Sequence, residues 1–428
     1  MVSEATVDGE KIRLSPSTVA CIIAAMVRAS FKHLACLGAV LLLFFGAGCN
    51  ILNGGDDDSW LRSREGRADA GVDTRHTHDA ALSPDAAAPD ADDAGTVSSD
   101  ADDGGADADD AGTDAREAGA ADLGIAFTVV VLPDTQYYSS SHPEIFAAQT
   151  RWIVEQKSAR NIAVALHVGD IVDGANDPAQ WTVANSSLRL MDGLVPYVLV
   201  PGNHDTDGGN RDFEARRQGP IDSYFSPDTM GWITNTMTAG QIESNYALVD
   251  IGPQQWLVLG LEFGPRDAVI TWADGVLKAF PTKPAIIVTH AYLYRDGTRY
   301  DVAKSGLDPS QPNFQNFIPQ WYNFTPKEGS NDGEEIWQKL IVPNPNVRLV
   351  FCGHDSAAAR LTSLRPDGSR VHQMLSDYQW LDDSGGSGYL RVLEFDYGQK
   401  QIRVQTYSPY LDQFMTDDAN QFTLSLEL

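Results

Sequence analysis

Short apolar runs that stop abruptly at polar turns recur from Ile125 onward, separated by segments with helical spacing. Val195 to Asp205, V-P-Y-V-L-V-P-G-N-H-D, is the clearest instance. Tyr197–Val200 reads as a buried strand, and Pro201-Gly202 ends it. Asn203, His204 and Asp205 then stand on a tight turn at the rim of a sheet, where α/β folds place ligands and catalysis. Taken alone, such a turn is equally a surface Asx cap. Four further stretches with the same grammar decide between the two.

Phe127–Leu132 is a β-rich run closed by Pro133 and followed by Asp134-Thr-Gln136. Glu144–Ser158 carries Ile145, Gln149, Trp152, Ile153 and Gln156 at the spacing of an amphipathic helix. Ile162–Val168 is the second run and ends in Gly169-Asp170-Ile-Val-Asp173. Pro178–Met191 predicts a second helix with Trp181, Ala184, Leu188 and Met191 on one face. Phe213–Gly240 mixes its signals and reads as loop with a short helix. Tyr246–Ile251 and Trp256–Glu262 predict antiparallel strands joined at Gly252-Pro253, and Trp272–Phe280 predicts a helix. Ala285–Val288 is the fourth run, ending in Thr289-His290. Val347–Cys352, preceded by a helical Ile336–Ile341, is the fifth and ends in Gly353-His354-Asp355.

Between these last two runs, Tyr294–Gly333 is Asn- and Pro-rich with Phe314, Phe317, Trp321, Tyr322 and Phe324. A loop that long inside a compact domain is functional or disordered, and its aromatics favour an ordered lid or rim. Val371–Leu375, Tyr389–Asp396 and Ile402–Tyr407 predict successive antiparallel strands. Alternating strand and helix followed by a late block of strands predicts a layered α/β sandwich over residues 125–428.

Composition changes the picture mainly at the N-terminal end. Residues 50–124 are Asp, Ala and Gly with little else, too poor in apolar groups to offset ordering entropy, and predict a disordered, self-repelling linker. That tract carries about half of the net charge of −28, so the acidity says little about substrate and argues against a nucleic-acid-binding surface. Residues 1–49 read as a targeting segment. Leu34–Phe45 is shorter than the span of about 20 apolar residues that crosses a bilayer, and follows Arg28, Lys32 and His33, as a signal-peptide core does. Met26 is a candidate true start. The small residues before Cys49 resemble a bacterial lipoprotein cleavage site, although Gly46 departs from the aliphatic residue usual there. Lipidation at Cys49 is the leading expectation, with cleavage and secretion, or an uncleaved anchor, as alternatives. The expected location is therefore the cell envelope or the exterior. Cys352 is the lone cysteine of the folded part, which excludes a disulfide framework there.

Each of the five runs thus ends in metal-competent side chains: Asp134/Gln136, Asp170/Asp173, Asn203/His204/Asp205, His290 and His354/Asp355. Carboxylate, imidazole and amide oxygen together suit manganese, iron or zinc, and the absence of cysteine argues against a closed structural zinc site. In that order, over about Phe127 to Asp355, Asp-x-Gln, Gly-Asp-x-x-Asp, Gly-Asn-His-Asp, Thr-His and Gly-His resemble the calcineurin-like metallophosphoesterase family. The resemblance implies a four-layer α/β sandwich of two mixed sheets flanked by helices, with two divalent metals at the C-terminal ends of strands. It implies that Asp170 bridges the metals, that Asn203, His290 and His354 complete the second site, and that Asp134 and Gln136 serve the first. It also implies that His204 protonates the departing alkoxide, with Asp205 orienting its imidazole.

Two departures weaken the first site. The family usually has histidine where Gln136 stands and a second histidine at Ser356. A first metal held this way is expected to bind weakly or arrive with substrate, and to be manganese, magnesium or calcium. Asp355 is a candidate substitute only if its side chain turns opposite to the family's ligand. Tyr137 and Arg266 are candidate phosphate contacts or merely turn-closing residues. His167 reads as a core or ligand-supporting histidine, Asp173 as a carboxylate holding the turn after Asp170, and His142 and His372 as structural. The expected function is a metal-dependent phosphohydrolase that attacks a phosphate mono- or diester with a metal-activated water. Its substrate is expected to be a small phosphoester or a phosphorylated envelope component. The rival is a single-metal surface protein that binds a phosphorylated ligand without turnover.

Overall fold

The computed structural model describes residues 3–7, 10–14, 126–206, 220–306, 308–311, 313–322 and 325–428. The linker, the apolar run 34–45, Met26, Cys49 and Phe324 lie outside the described residues, as does part of the segment 213–240. At the N-terminal end, β1 (Ser3–Val7) and β2 (Glu10–Leu14) pair antiparallel with Ser3 opposite Leu14.

Two mixed sheets make the rest. The first runs in the order β15-β14-β13-β3-β4-β5, with β16 also paired to β14. Its strands are β3 (Phe127–Leu132), β4 (Ile162–His167), β5 (Tyr197–Leu199), β13 (Leu390–Asp396), β14 (Gln401–Ser408), β15 (Gln413–Met415) and β16 (Phe422–Ser425). The second runs in the order β11-β12-β10-β9-β8-β7-β6. It contains β6 (Asn235–Thr236), β7 (Asn245–Ile251), β8 (Gln254–Gly260), β9 (Ala285–Val288), β10 (Val347–Cys352), β11 (Ala358–Leu364) and β12 (Arg370–Ser376).

Within each sheet the central strands are parallel: β3 with β4 and β4 with β5 in one, β8 with β9, β9 with β10 and β10 with β12 in the other. Their apolar character on both faces follows from cover on both sides. Along β8, Trp256 and Val258 join the core between the sheets, while Leu257 and Leu259 join a second core. The same alternation sends Ile286, Val288, Leu349 and Phe351 inward and Ile287, Val350 and Cys352 outward.

Helices cover the outer faces. After a short α1 (Gln136–Ser141), α2 (Pro143–Gln156) and α3 (Pro178–Leu188) pack Ile145, Phe146, Ile153, Trp181, Ala184 and Leu188 into the core of the first sheet. Asp177 caps α3 by accepting the Ala179 N–H at 2.9 Å, and Pro178 supplies a pre-set first turn. The predicted continuation to Met191 is a 3₁₀ turn, Arg189–Met191. On the second sheet, α4 (Asp267–Ala279) begins five residues before the predicted Trp272. Its buried face, Val269, Ile270, Ala273 and Leu277, packs with Leu340 and Ile341.

One expectation is overturned. Val371–Leu375 does not continue into the Tyr389 strand. As part of β12 it lies in the other sheet, antiparallel to β11 and parallel to β10, with Leu375 beside Cys352. The polar alternation of β11, whose side chains are mostly exposed or half-buried, left no apolar run to reveal the intervening edge strand.

Trp256 ties the two sheets together. It is fully buried, donates its indole N–H to the Tyr397 hydroxyl at 3.0 Å and meets Phe395 edge-on at 5.5 Å. Trp256→Ala is expected to lower stability by about 3–5 kcal/mol in denaturant titration. A loss under about 1 kcal/mol would show that the site collapses or that the ring is not in the shared core.

Candidate metal centre

Parallel pairing brings the C-terminal ends of β3, β4 and β5 together in one sheet and those of β9, β10 and β12 together in the other. Asp134, Asp170, Asn203, His290 and His354 each sit within a few residues beyond such an end. All five are buried.

Four of them converge on one point. His290 Nε2 lies 3.2 Å from Asp170 Oδ2, 3.2 Å from Asn203 Oδ1 and 3.1 Å from His354 Nδ1. Backbone carbonyls decide the tautomers, since a carbonyl only accepts. His290 donates Nδ1–H to Val168 O at 2.9 Å, and His354 donates Nε2–H to Phe317 O at 2.7 Å. In the neutral form of each ring, the nitrogens left facing inward therefore carry lone pairs, opposite a carboxylate oxygen and an amide oxygen. Acceptors facing acceptors, with each imidazole oriented by a second hydrogen bond, is the donor set of a divalent cation. Two imidazoles with two oxygens fit zinc, iron or manganese, as the resemblance implies for the second site.

The charges agree. Burial opposes ionisation of Asp170, but the His290, His204 and His354 imidazoles hold its carboxyl well below the usual carboxylate range. Burial lowers His290, and Asp170 more than compensates, so its imidazole is raised: the carboxylate draws a proton onto the ring where a bound cation would place positive charge instead. Burial and then the neighbouring His290 push His354 down to about 3.

Local backbone geometry is costly here. Asp170 has φ +49° and His354 φ +79°, conformations that L side chains adopt at a cost of order 1–3 kcal/mol each. The glycines of the motifs are there for close approach: a Cβ on Gly202 would lie 2.0 Å from Asp170 Oδ1, and one on Gly353 1.9 Å from Asp134 Oδ1.

His204 is half-buried, and its backbone N–H donates to Asp170 Oδ1 at 2.9 Å. The expected orientation of its ring by Asp205 is replaced by a different partner. His204 Nδ1 lies 2.8 Å from Asp173 O and 3.4 Å from Asp173 Oδ1. Asp205 instead faces backbone, taking N–H groups from Ile171 at 2.8 Å, Val172 at 3.0 Å and Gly202 at 2.8 Å. Burial lowers His204, but Asp170 and Asp173 outweigh it, so the imidazolium is favoured.

The first site is built differently. Asp134 Oδ2 accepts the His354 N–H at 2.9 Å, while its Oδ1 and Gln136 Oε1 are buried and meet no hydrogen-bond donor among the described residues. Orphaned buried acceptors fit a cation. Burial, then the charge of Asp377, then that of Asp170 push Asp134 well above the ordinary carboxylate range. Asp377 is not among the sequence candidates because successive antiparallel pairing of Val371–Leu375 with the Tyr389 strand would leave it in a connecting loop. The signal was there: Asp377 stands two residues past Leu375 as His354 stands two past Cys352, and those strand ends are neighbours.

The remaining candidates fall elsewhere. Asp355 turns to Arg295, accepting from its backbone N–H at 2.7 Å and its Nε at 3.1 Å, so it does not substitute for Ser356. Arg266 forks onto Glu262 at 2.8 and 3.2 Å, closing the turn before α4. Tyr137 receives the Trp380 indole N–H at 3.4 Å. His167 is a supporting residue: it accepts the Gly169 N–H on Nδ1 at 3.2 Å and lies 2.9 Å from Thr135 Oγ1 through Nε2. From the Tyr294–Gly333 segment, Tyr300 and Tyr322 pack with Phe263 in a small aromatic cluster. Their rings lie 6.0 and 6.3 Å from that of His354, forming a wall beside it.

A curated Bacillus subtilis protein, the uncharacterised YvnB, is 34% identical over 318 residues, covering 71% of this chain. The chain spans only 22% of that relative's length. Among solved structures, the purple acid phosphatase PPD1 of yellow lupin aligns with a TM-score of 0.43 at 14% identity, covering 70% of this chain and 54% of that one. GAP50, the anchor in the inner membrane complex of Plasmodium, aligns with a TM-score of 0.40 at 13% identity, covering 71% and 89%. The family model of calcineurin-like phosphoesterases matches residues 127–357, from the first strand of the first sheet to just past His354. The chain belongs to the calcineurin-like phosphoesterase family.

Proposed function

We propose that the protein hydrolyses a phosphate mono- or diester, with His204 as the acid that protonates the leaving alkoxide. The observation that carries this reading is the convergence of Asp170, Asn203, His290 and His354 as inward-facing acceptors, with His204 hydrogen-bonded to the same Asp170. Divalent ions held there would supply an activated water and neutralise phosphoryl oxygens.

The chain's own groups do the rest. His204 commits Nδ1–H to Asp173, which leaves Nε2 for the substrate. Asp170 and Asp173 favour its cationic form, so it can give Nε2–H to the departing alkoxide oxygen, releasing an alcohol and leaving a neutral imidazole. The aromatic wall of Tyr300 and Tyr322 bounds the approach to His354 and is the natural determinant of substrate shape. In this reading the substrate is a small phosphoester or a phosphorylated envelope component. The domain is exported and tethered through Cys49, and Tyr137 and Arg266 contribute at most at the edge. Among the described residues no helix is long and apolar enough to cross a membrane. Gln136 and Ser356 favour the rival reading, a single-metal protein that binds a phosphorylated ligand without turnover.

Four results distinguish the readings in the full chain. Chelation should abolish hydrolysis of mono- and diester model substrates and added Mn²⁺ should restore it, whereas Asp170→Asn should lose both activity and bound metal. His204→Ala should lower turnover by roughly 10²- to 10⁴-fold with metal content unchanged. Asp173→Asn should move the alkaline limb of the rate profile to lower pH, because removing an anion beside the imidazolium lowers its pKa. One ion per chain and no turnover under any metal supplement would assign the site to the binding reading instead.

A further inference from the structure

We infer that Asp377 replaces the ligand that Ser356 does not supply, completing an all-oxygen cation site with Asp134, Gln136 and the shared Asp170. The inference rests on the phosphohydrolase reading and deepens it.

Topology places the residue. β12 runs parallel to β10 with Leu375 beside Cys352, so Asp377 leaves its strand next to Gly353 and His354. Its backbone N–H donates to Ala357 O at 3.0 Å, which fixes it against the turn that carries His354 and Ser356. Ser356 does not point a ligand inward; its hydroxyl donates to Asp377 Oδ2 at 3.1 Å, and the Gln379 N–H holds Oδ1 at 2.9 Å. Where a histidine would reach a metal directly, a short hydroxyl instead aims a carboxylate.

Charge supplies the second argument. Asp377 is 1% exposed and forms no salt bridge with a Lys, Arg or His among the described residues. Asp134, equally buried, and Gln136 present acceptor oxygens to which no described donor is directed. Two buried carboxylates, Asp134 and Asp377, and the Gln136 amide oxygen, with no Lys, Arg or His paired to them among the described residues, form a costly arrangement, and an inorganic cation satisfies it. Oxygen-only donors select a hard ion, Mg²⁺, Mn²⁺ or Ca²⁺, whereas two imidazoles mark the neighbouring site for zinc, iron or manganese. The centre is thus asymmetric, one ion bound tightly through nitrogen and one more weakly through oxygen.

The test is titration of metal-free full chain with Mn²⁺, counting bound ions and recording the electron paramagnetic resonance spectrum. Wild type should bind two ions in separable steps and show a spin-coupled pair. Asp377→Asn should weaken only the second step, by roughly 10- to 100-fold, and leave the spectrum of an isolated ion. Retention of the first step reports a folded protein. Unchanged affinities in Asp377→Asn overturn the inference, and so does a wild-type chain that binds one ion. In either case the effects of His204→Ala and Asp170→Asn on hydrolysis still judge the proposed function separately. Should Asp377→Asn lose both ions, Ser356→Ala decides, because it removes only the aiming hydroxyl. Selective weakening of the second step supports the inference, and two unchanged steps overturn it.

Discussion

The carboxylate of Asp205 is the constraint on which the centre depends. By taking amides of Ile171, Val172 and Gly202, it ties the turn after β4 to the turn after β5. Each such hydrogen bond contributes about 0.5–1.5 kcal/mol net, and more where the carboxylate is ionised. That sum is large enough to hold Asp170 at positive φ and to keep Gly202 against it. Asn203 and His204 ride on the same turn, so ligand and acid keep their positions relative to Asp170 through one side chain. The last residue of Gly-Asn-His-Asp is therefore architectural, and the imidazole takes its charge support chiefly from Asp170 and Asp173.

Much of this was legible before any coordinates. The runs 127–132, 285–288 and 347–352 are strands at the predicted residues, because strands buried on both faces must be apolar throughout and polar stops mark their ends. Trp181, Ala184, Leu188 and Met191 are buried as the helical spacing implied. What escaped was half-exposed or non-local. β11 has no apolar run, and without it the partner of β12 could not be inferred. The parallel pairing of β12 is a long-range fact, and only that pairing turns Asp377 from a loop carboxylate into a neighbour of Asp134. Which acceptor Asp205 or Asp355 serves is likewise a matter of side-chain direction, which spacing along the chain does not encode.

The two halves of the centre differ in how they are assembled. The nitrogen-rich half draws ligands from both sheets, Asp170 and Asn203 from one and His290 and His354 from the other, so it exists only when the sheets are packed. In the proposed oxygen-rich half, Asp134 and Asp377 likewise come from the two sheets, while Gln136 at the start of α1 and the Ser356 turn are added from outside the strands.

The hydrogen bond from His354 Nε2 to the carbonyl of Phe317 joins two properties that are usually discussed apart. The carbonyl belongs to the aromatic segment that shapes the approach to the centre, yet it sets the tautomer and basicity of a metal-binding imidazole. In the proposed reading, remodelling that segment to admit a bulkier substrate would therefore also retune how firmly the centre holds an ion, coupling substrate range to metal choice.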